Sequence, residues 1–304
     1  MDERYGQILA IFPDKLKQLF PQEILENTEE IRLRANQPVE LITEQGGRLL
    51  KEACTPEELL NIMKNCTNHS IYAHAEEIRN GYLTIAGGHR VGFTGRVLHK
   101  NGEITTIDHF NSLNIRIARQ IRGAAKEVLP YLLENGRALS TLLISPPQVG
   151  KTTLLRDVAR QLSDGYGELP GFKVGVVDER GELAGCVNGV MQLDVGMRSD
   201  VLDGCPKAKG MILLIRSMSP QIIITDEIGG EDDFIAITNA AASGVRVIAT
   251  AHGSDLEELL AKEYMKKIIG GRFFSRYLVI TRENGTILPK RLYKEDLKEV
   301  PLTC

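Results

Sequence analysis

The run Ser145-Pro146-Pro147-Gln148-Val149-Gly150-Lys151-Thr152, with Thr153 following, constrains this chain more than any other segment. Residues 141–144 before it read as a short apolar strand, and residues 151–162 after it as an amphipathic helix. A strand, a tight loop and a helix N-terminus in that order turn successive backbone N–H groups toward one point, where the helix dipole also favours an anion. In such a loop Lys151 would reach the β- and γ-phosphates of a nucleotide, and the Thr152 hydroxyl would hold Mg²⁺. The loop departs from G-x-x-x-x-G-K-[ST] at Ser145, which stands for the first glycine. That position is expected to make its turn with a Cβ present, at a cost in backbone freedom. A Gly-Lys-Thr tripeptide alone is a weak signal, since an ordinary turn opening a helix also supplies it. Its place between strand and helix is what gives it weight.

A second motif supports the first. Ile222-Ile223-Ile224-Thr225-Asp226-Glu227 reads as a buried strand ending in two acids. Beside a phosphate loop, Asp226 would bind Mg²⁺ through water and Glu227 would polarise an attacking water. A core strand ending in a solvated acidic pair is the plainer alternative. Two further strand ends carry chemistry-bearing side chains. In Val176-Val177-Asp178-Glu179-Arg180, either acid could orient water or metal and Arg180 could pair with a phosphate, although a solvated loop explains the segment as well. In Ala249-Thr250-Ala251-His252-Gly253, His252 could hydrogen-bond a γ-phosphate, while a structural histidine is the ordinary reading. Phosphoryl transfer also gains from arginines. Arg90, Arg96, Arg116 and Arg119 lie on strand-like segments of the first half, and Arg198 and Arg246 in the second. Glycines beside Arg90 and Arg96 would allow close backbone approach to a neighbour.

The remaining pattern separates two regions, 1–122 and 123–304, with the boundary near 119–125. The first reads as α+β. Thr55-Pro56-Glu57-Glu58 opens a helix with a capping box, residues 81–97 suggest a hairpin around Gly87-Gly88, and residues 113–118 alternate apolar and polar. In the second, apolar strands at 173–177, 221–225 and 245–251 are interleaved with helices predicted at 124–133, 231–242 and 255–269. The last of these is expected to be capped by Ser254 and stopped by Gly270-Gly271. This is the pattern of a doubly wound parallel α/β sheet, closed here by a hairpin around Asn284-Gly285.

Composition narrows the function classes. With 37 basic and 40 acidic residues the net charge is −3, which gives no general reason to expect nucleic acid. Apolar runs such as 211–215 fall far short of the roughly 20 residues of a membrane-spanning helix. The acidic N-terminus lacks the plan of a signal peptide. The five cysteines (Cys54, Cys66, Cys186, Cys205 and Cys304) form no CxxC pair and cannot all be paired, so a reduced, cytoplasmic setting is expected.

In this order, the phosphate loop, acidic box, Asp-Glu strand end and histidine box resemble the ATPases of type II and type IV secretion systems. More narrowly, SPPQxGKTTLLRD, VVDERGELAG, IIITDEIGG and ATAHG, with IRLR (31–34) and GGHRVGFTGRV in the first half, resemble a sporulation branch of that family found in spore-forming bacteria. The Ser145 and Gln148 departures belong to that branch.

The resemblance implies an α/β P-loop (RecA-like) ATPase domain preceded by a smaller α+β domain. It also implies Mg·ATP as ligand and a ring-shaped homo-hexamer with nucleotide between the two domains of a subunit. The ring would sit at the cytoplasmic face of a secretion-like membrane complex joining mother cell and forespore, without inserting in the membrane. The acidic box maps to Asp178-Glu179, the catalytic acid to Glu227 and the histidine box to His252. The phosphate-binding set covers Pro147, Gln148, Val149, Gly150, Lys151, Thr152 and Thr153, and the N-terminal arginines map to Arg90 and Arg96. The zinc-binding cysteine quartet of some type II enzymes is absent. Two other readings remain: an ATP-binding assembly platform with little turnover, and a nucleic-acid-stimulated ATPase. A transporter-type ATPase is disfavoured, because no LSGGQ-like helix start precedes the Asp-Glu strand.

Overall fold

The computed structural model describes residues 3–302, so Cys304 and the first two residues of the acidic N-terminus lie outside it. The chain separates into two compact units. One runs to Arg119 and takes back Gly185–Gln192; the other comprises Gln120–Ala184 and Leu193 onward.

The first unit is a six-stranded antiparallel sheet with helices on one face. Its strands are β1 (Glu30–Arg34), β2 (Gln37–Thr43), β3 (Gly46–Cys54), β4 (Tyr82–Ile85), β5 (His89–Lys100) and β6 (Glu103–Arg116), in the order β3-β2-β1-β6-β5-β4. Alternation decides the buried face: Ile31 and Leu33, Val91 and Phe93, and Leu113 and Ile115 point inward. Helices α1 (Glu3–Ala10), α2 (Asp14–Lys17), α3 (Gln22–Asn27), α4 (Pro56–Cys66) and α5 (Ala75–Asn80) complete that core through Ile8, Leu16, Leu25, Ile62 and Ile78. Thr55 caps α4 in the predicted box, with Glu58 returning to the Thr55 N–H at 2.8 Å. The close approach expected at Gly95 occurs inside the β5–β6 hairpin, where a Cβ would run into the carbonyl oxygen of Asp108.

The second unit is the doubly wound sheet that continuous apolar strands predict. Its strands are β7 (Thr141–Ser145), β8 (Val174–Asp178), β9 (Ser199–Asp203), β10 (Ile222–Thr225), β11 (Arg246–His252), β12 (Arg276–Glu283), β13 (Thr286–Lys294) and β14 (Glu299–Val300). They lie in the order β9-β8-β10-β11-β7-β12-β13-β14, parallel from β9 through β12 and antiparallel beyond. Helix α6 (Lys151–Asp164) lies against β8 and β10. Helices α7 (Lys207–Ser217), α8 (Glu231–Ala242), α9 (Leu256–Leu260) and α10 (Glu263–Gly270) share a core with Leu142, Ile144, Val177, Ile223 and Val247. The β12–β13 turn has positive φ at Asn284 (48°) and Gly285 (82°), as its Asn-Gly sequence dictates.

Three sequence expectations are corrected. Residues 124–133 form turns and a short 3-10 segment at Leu129–Leu132. Pro130 has no N–H to continue a ladder, and the Ala125 N–H is drawn instead to Asp157 Oδ2 at 2.9 Å. The helix expected over 255–269 is two helices, α9 and α10. Asp255 rather than Ser254 caps the first, while Ser254 donates twice to Glu258. Ser145 does not make the phosphate-loop turn. It is the last residue of β7, and the left-handed positions fall at Gln148 (φ 65°) and Gly150 (φ 98°).

Candidate functional site

Four parallel strands, β7, β8, β10 and β11, deliver their C-terminal ends to one edge of the sheet, the edge where open α/β sheets bind ligands. At the end of β7 the loop turns through Pro146 and Pro147, whose rings fix φ. The chain then passes through the two left-handed residues and enters α6. This helix starts at Lys151 behind Gly150, with no side-chain cap and no acid in its first turn. By contrast α4 and α9 are capped by side chains, and α4, α8 and α9 carry acids there. The first-turn N–H groups of α6 are left for an anion. Gly150 is fixed by its left-handed backbone and by Ile287, whose Cδ1 would lie 3.3 Å from an added Cβ.

Lys151 folds back over the loop and donates to the carbonyl oxygens of Ser145 and Pro146 at 3.1 and 2.9 Å. Its third contact is Nδ1 of His252, 3.0 Å away. An ammonium has only protons to give, so Nδ1 accepts and the ring proton sits on Nε2. Nε2 in turn lies 3.3 Å from Oε1 of Glu227, and Nη1 of Arg180 lies 3.8 Å from Oε2 of the same carboxylate. Lys151, His252, Glu227 and Arg180 thus form one continuous line from the phosphate loop to the ends of β11, β10 and β8. Burial pushes the Lys151 ammonium below its ordinary value, and Glu227 pulls it back up. Strand β11 also fixes the backbone of this line: Thr250 Oγ1 accepts from the Glu227 N–H at 2.9 Å, and the Thr250 carbonyl accepts from Ile228 at 2.8 Å.

The acids at the strand ends differ. Asp178 is fully buried, and its carboxylate accepts backbone N–H bonds from Glu182, Leu183 and Ala184 at 2.8, 3.0 and 2.8 Å. The sequence suggests water or metal for Asp178; the structure gives its oxygens to the loop. Glu179 pairs with Lys207 at 3.0 Å. Asp226, also buried, receives no hydrogen bond from the protein among the described residues. Burial pushes its carboxyl up to about 6, with Asp178 and Glu182 adding to the rise and Lys207 and Arg180 opposing it. A carboxylate disfavoured by burial and by neighbouring acids suits a divalent cation, and Thr152 stands in the first turn of α6, the helix that packs against β10. No group of three or more His, Cys, Asp or Glu among the described residues could hold a metal by itself. An ion here would therefore draw most of its ligands from phosphate and water, as Mg²⁺ does.

Two cavities flank the line. One of about 640 Å³ is lined by Glu179, Arg180, Lys207, Glu227, His252 and Lys262 among others. The other, about 210 Å³, lies on the far side of the phosphate loop against Arg122, Val149, Gly150, Thr153, Arg282 and Ile287.

The arginines singled out in the first half have partners within their own unit. Arg96 makes a two-point pair with Asp108 at 2.9 and 2.8 Å, and Arg90 lies 3.7 Å over the Tyr82 ring. Arg116 bonds Glu30, and Arg119 donates to the Thr28 carbonyl. In the second unit Arg198 holds Ser163. Thr250, Lys207 and the buried pair Arg156-Asp157 escape the sequence reading. A hydroxyl inside an otherwise apolar strand, and two charges on the inward face of a helix, are the signals that could have found Thr250 and the pair.

Residues 2–298 match the family model described as sporulation stage III, protein AA. The chain is 44% identical over 294 residues to the stage III sporulation protein AA of Bacillus subtilis (strain 168), covering 96% of this chain and 95% of that protein. Among solved structures it is similar to the ATPase DotB of Legionella pneumophila, with a TM-score of 0.60, 13% identity, and coverage of 91% of this chain and 81% of the other. It is also similar to the pilus retraction motor PilT with bound ADP, with a TM-score of 0.56, 14% identity, and coverage of 89% and 80%. At such identities the likeness speaks for the fold alone: an α/β unit built on a mixed sheet, shared with those two ATPases.

Proposed function

The chain belongs to the sporulation stage III protein AA family, and from that premise we propose that it is a Mg²⁺-dependent ATPase. The observation that carries the reading is the unbroken line of contacts from Lys151 through His252 to Glu227, set beside an uncapped helix N-terminus. In this reading the triphosphate takes the first-turn N–H groups of α6, and Pro147 through Thr153 form its cradle. Lys151 exchanges its hold on the Ser145 and Pro146 carbonyls for β- and γ-phosphate oxygens. The 210 Å³ cavity beside Gly150 and Thr153 takes the nucleoside end, with Ile287 and Val149 as apolar walls. Thr152 and Asp226 would hold Mg²⁺, which supplies positive charge to the β–γ bridge.

Glu227 accepts a proton from water as the water oxygen attacks the γ-phosphorus. The bond to the β–γ bridging oxygen breaks, leaving ADP and phosphate. His252 links the carboxylate that meets water to the lysine that meets phosphate, so it is placed to report loss of the γ-phosphate. Glu179 and Arg180 line the water side.

The family is one of sporulation stage III. We propose a homo-hexameric ring that drives a secretion-like membrane complex between mother cell and forespore, docked at its cytoplasmic face. No helix among the described residues is long and apolar enough to cross a membrane. The direct test is steady-state Mg·ATP hydrolysis by the wild type and Lys151→Ala. Hydrolysis that disappears in the variant supports the reading, and equal hydrolysis in both contradicts it.

A further inference from the structure

Helix α6 carries two charged residues inside the protein: Arg156 is 5% exposed and Asp157 fully buried. A guanidinium this deep is tolerated only where its N–H groups meet acceptors. Arg156 Nε donates to the Leu183 carbonyl and Nη2 to the Glu182 carbonyl, both at 2.7 Å. The same short segment is held from the other side by Asp178, which accepts the N–H groups of residues 182, 183 and 184. Donors and acceptors of one loop are thereby fixed at once, the former by a strand end and the latter by α6.

That loop begins with Glu179 and Arg180, whose side chains reach Lys207 and Glu227. Helix α6 begins with Lys151 and Thr152. One rigid helix therefore carries the phosphate loop on its first turn and grips, from its second, the segment that faces Glu227. We propose that Arg156 is a positioning residue: it sets where Arg180 and Glu179 stand relative to the phosphate loop. The fork of the guanidinium suits two successive carbonyls, which the point charge of a lysine matches only in part. This inference rests on the ATPase reading.

The test compares the full-length wild type with Arg156→Met, Arg156→Lys, Arg180→Ala and the Arg156→Met/Arg180→Ala double variant. Turnover, KM for Mg·ATP, folded fraction and amide exchange at residues 182–184 are measured for each. Arg156→Met is expected to lower kcat at least about tenfold, as displaced site groups do, with KM moving by less than about threefold. Arg156→Lys should recover part of that loss. In the double variant the losses should fall well short of additive, because Arg156 acts through Arg180. Fully additive losses, or a kcat that falls only with the folded fraction, would overturn the proposal.

If Arg156→Met does not fold, Arg156→Lys decides: faster exchange confined to residues 182–184 supports the role, and unchanged exchange overturns it. A wild type lacking Lys151-dependent hydrolysis would overturn the ATPase reading itself. A hydrolysing wild type with an unaffected Arg156→Met overturns only the positioning role.

Discussion

Strands β8 and β10 are parallel neighbours, and each runs into the same dipeptide, Asp178-Glu179 in one and Asp226-Glu227 in the other. The two aspartates are both buried, yet one is used up and the other is not. Asp178 spends its oxygens on three N–H groups of the loop that follows. The chain after Asp226 leaves instead through Gly229 and Gly230, whose N–H groups are taken by Asp233 at 2.8 Å each. With its own loop served by another acid, Asp226 keeps a carboxylate that burial and nearby acids make uncomfortable. The glutamates divide likewise: Glu179 is held by Lys207, whereas Glu227 faces His252 and Arg180. Identical sequence at a strand end is therefore no guide to chemistry. What decides is whether the next turn of backbone needs the acid.

The largest effect should separate the glutamates. Glu227→Gln is expected to lower turnover by on the order of a hundredfold or more, the usual worth of a general base, with Mg·ATP binding retained. Glu179→Gln, losing a partly buried pair with Lys207 and no contact with His252, should cost less than about tenfold. Equal losses in the two variants would erase the distinction.

A smaller effect should sharpen the aspartate comparison through pH. The Asp226 carboxyl lies at about 6 in the folded protein against an ordinary 3.8. Between about pH 4 and pH 6 the folded protein therefore holds a proton that the unfolded chain has released. The stability this group contributes is full below about pH 4 and is lost as pH rises through about 6. Asp226→Asn removes the dependence, so metal-free variant should gain stability relative to wild type across that window, read by denaturant midpoints. A constant difference would show that Asp226 is not perturbed.

The smallest effect concerns the phosphate loop. Gln148 holds φ at 65° where glycine is at ease. Gln148→Gly should keep binding and leave stability within about 1 kcal/mol, as relief of strain offsets the entropy glycine adds to the unfolded chain. Gln148→Val, whose branched Cβ tolerates that φ poorly, should weaken nucleotide binding. Equal binding by the two variants would remove backbone conformation from the account of this loop.

Much of this was legible in the residues. The Thr55 box, the Asn284-Gly285 turn and the fully apolar strands around the phosphate loop are local signals, and each forms where its chemistry requires. What stayed hidden depends on contacts distant in sequence. Residues 124–133 have helical composition, but Asp157 takes the Ala125 N–H and Pro130 interrupts the ladder. Ser145 looked like the strained loop position, because the motif is written from its first glycine; the turn itself falls on Gln148. Asp178 and Asp226 read alike because nothing in either dipeptide tells which N–H groups will come to it. The return of Gly185–Gln192 to the first unit leaves no periodic trace.

The comparison of the two aspartates is tested most directly by Asp178→Asn and Asp226→Asn, assayed together for stability and for Mg-dependent turnover per folded molecule. Asp178→Asn replaces an acceptor oxygen with an amide that cannot accept, and should lose on the order of 3 kcal/mol of stability. Because it frees the same loop that Arg156 holds, its folded fraction should lose turnover about as Arg156→Met does, and less than Asp226→Asn does. Asp226→Asn should be at least as stable as wild type near neutral pH and should lose most Mg-dependent turnover. The reverse pattern, with Asp178→Asn stable but inactive and Asp226→Asn active, would contradict the account.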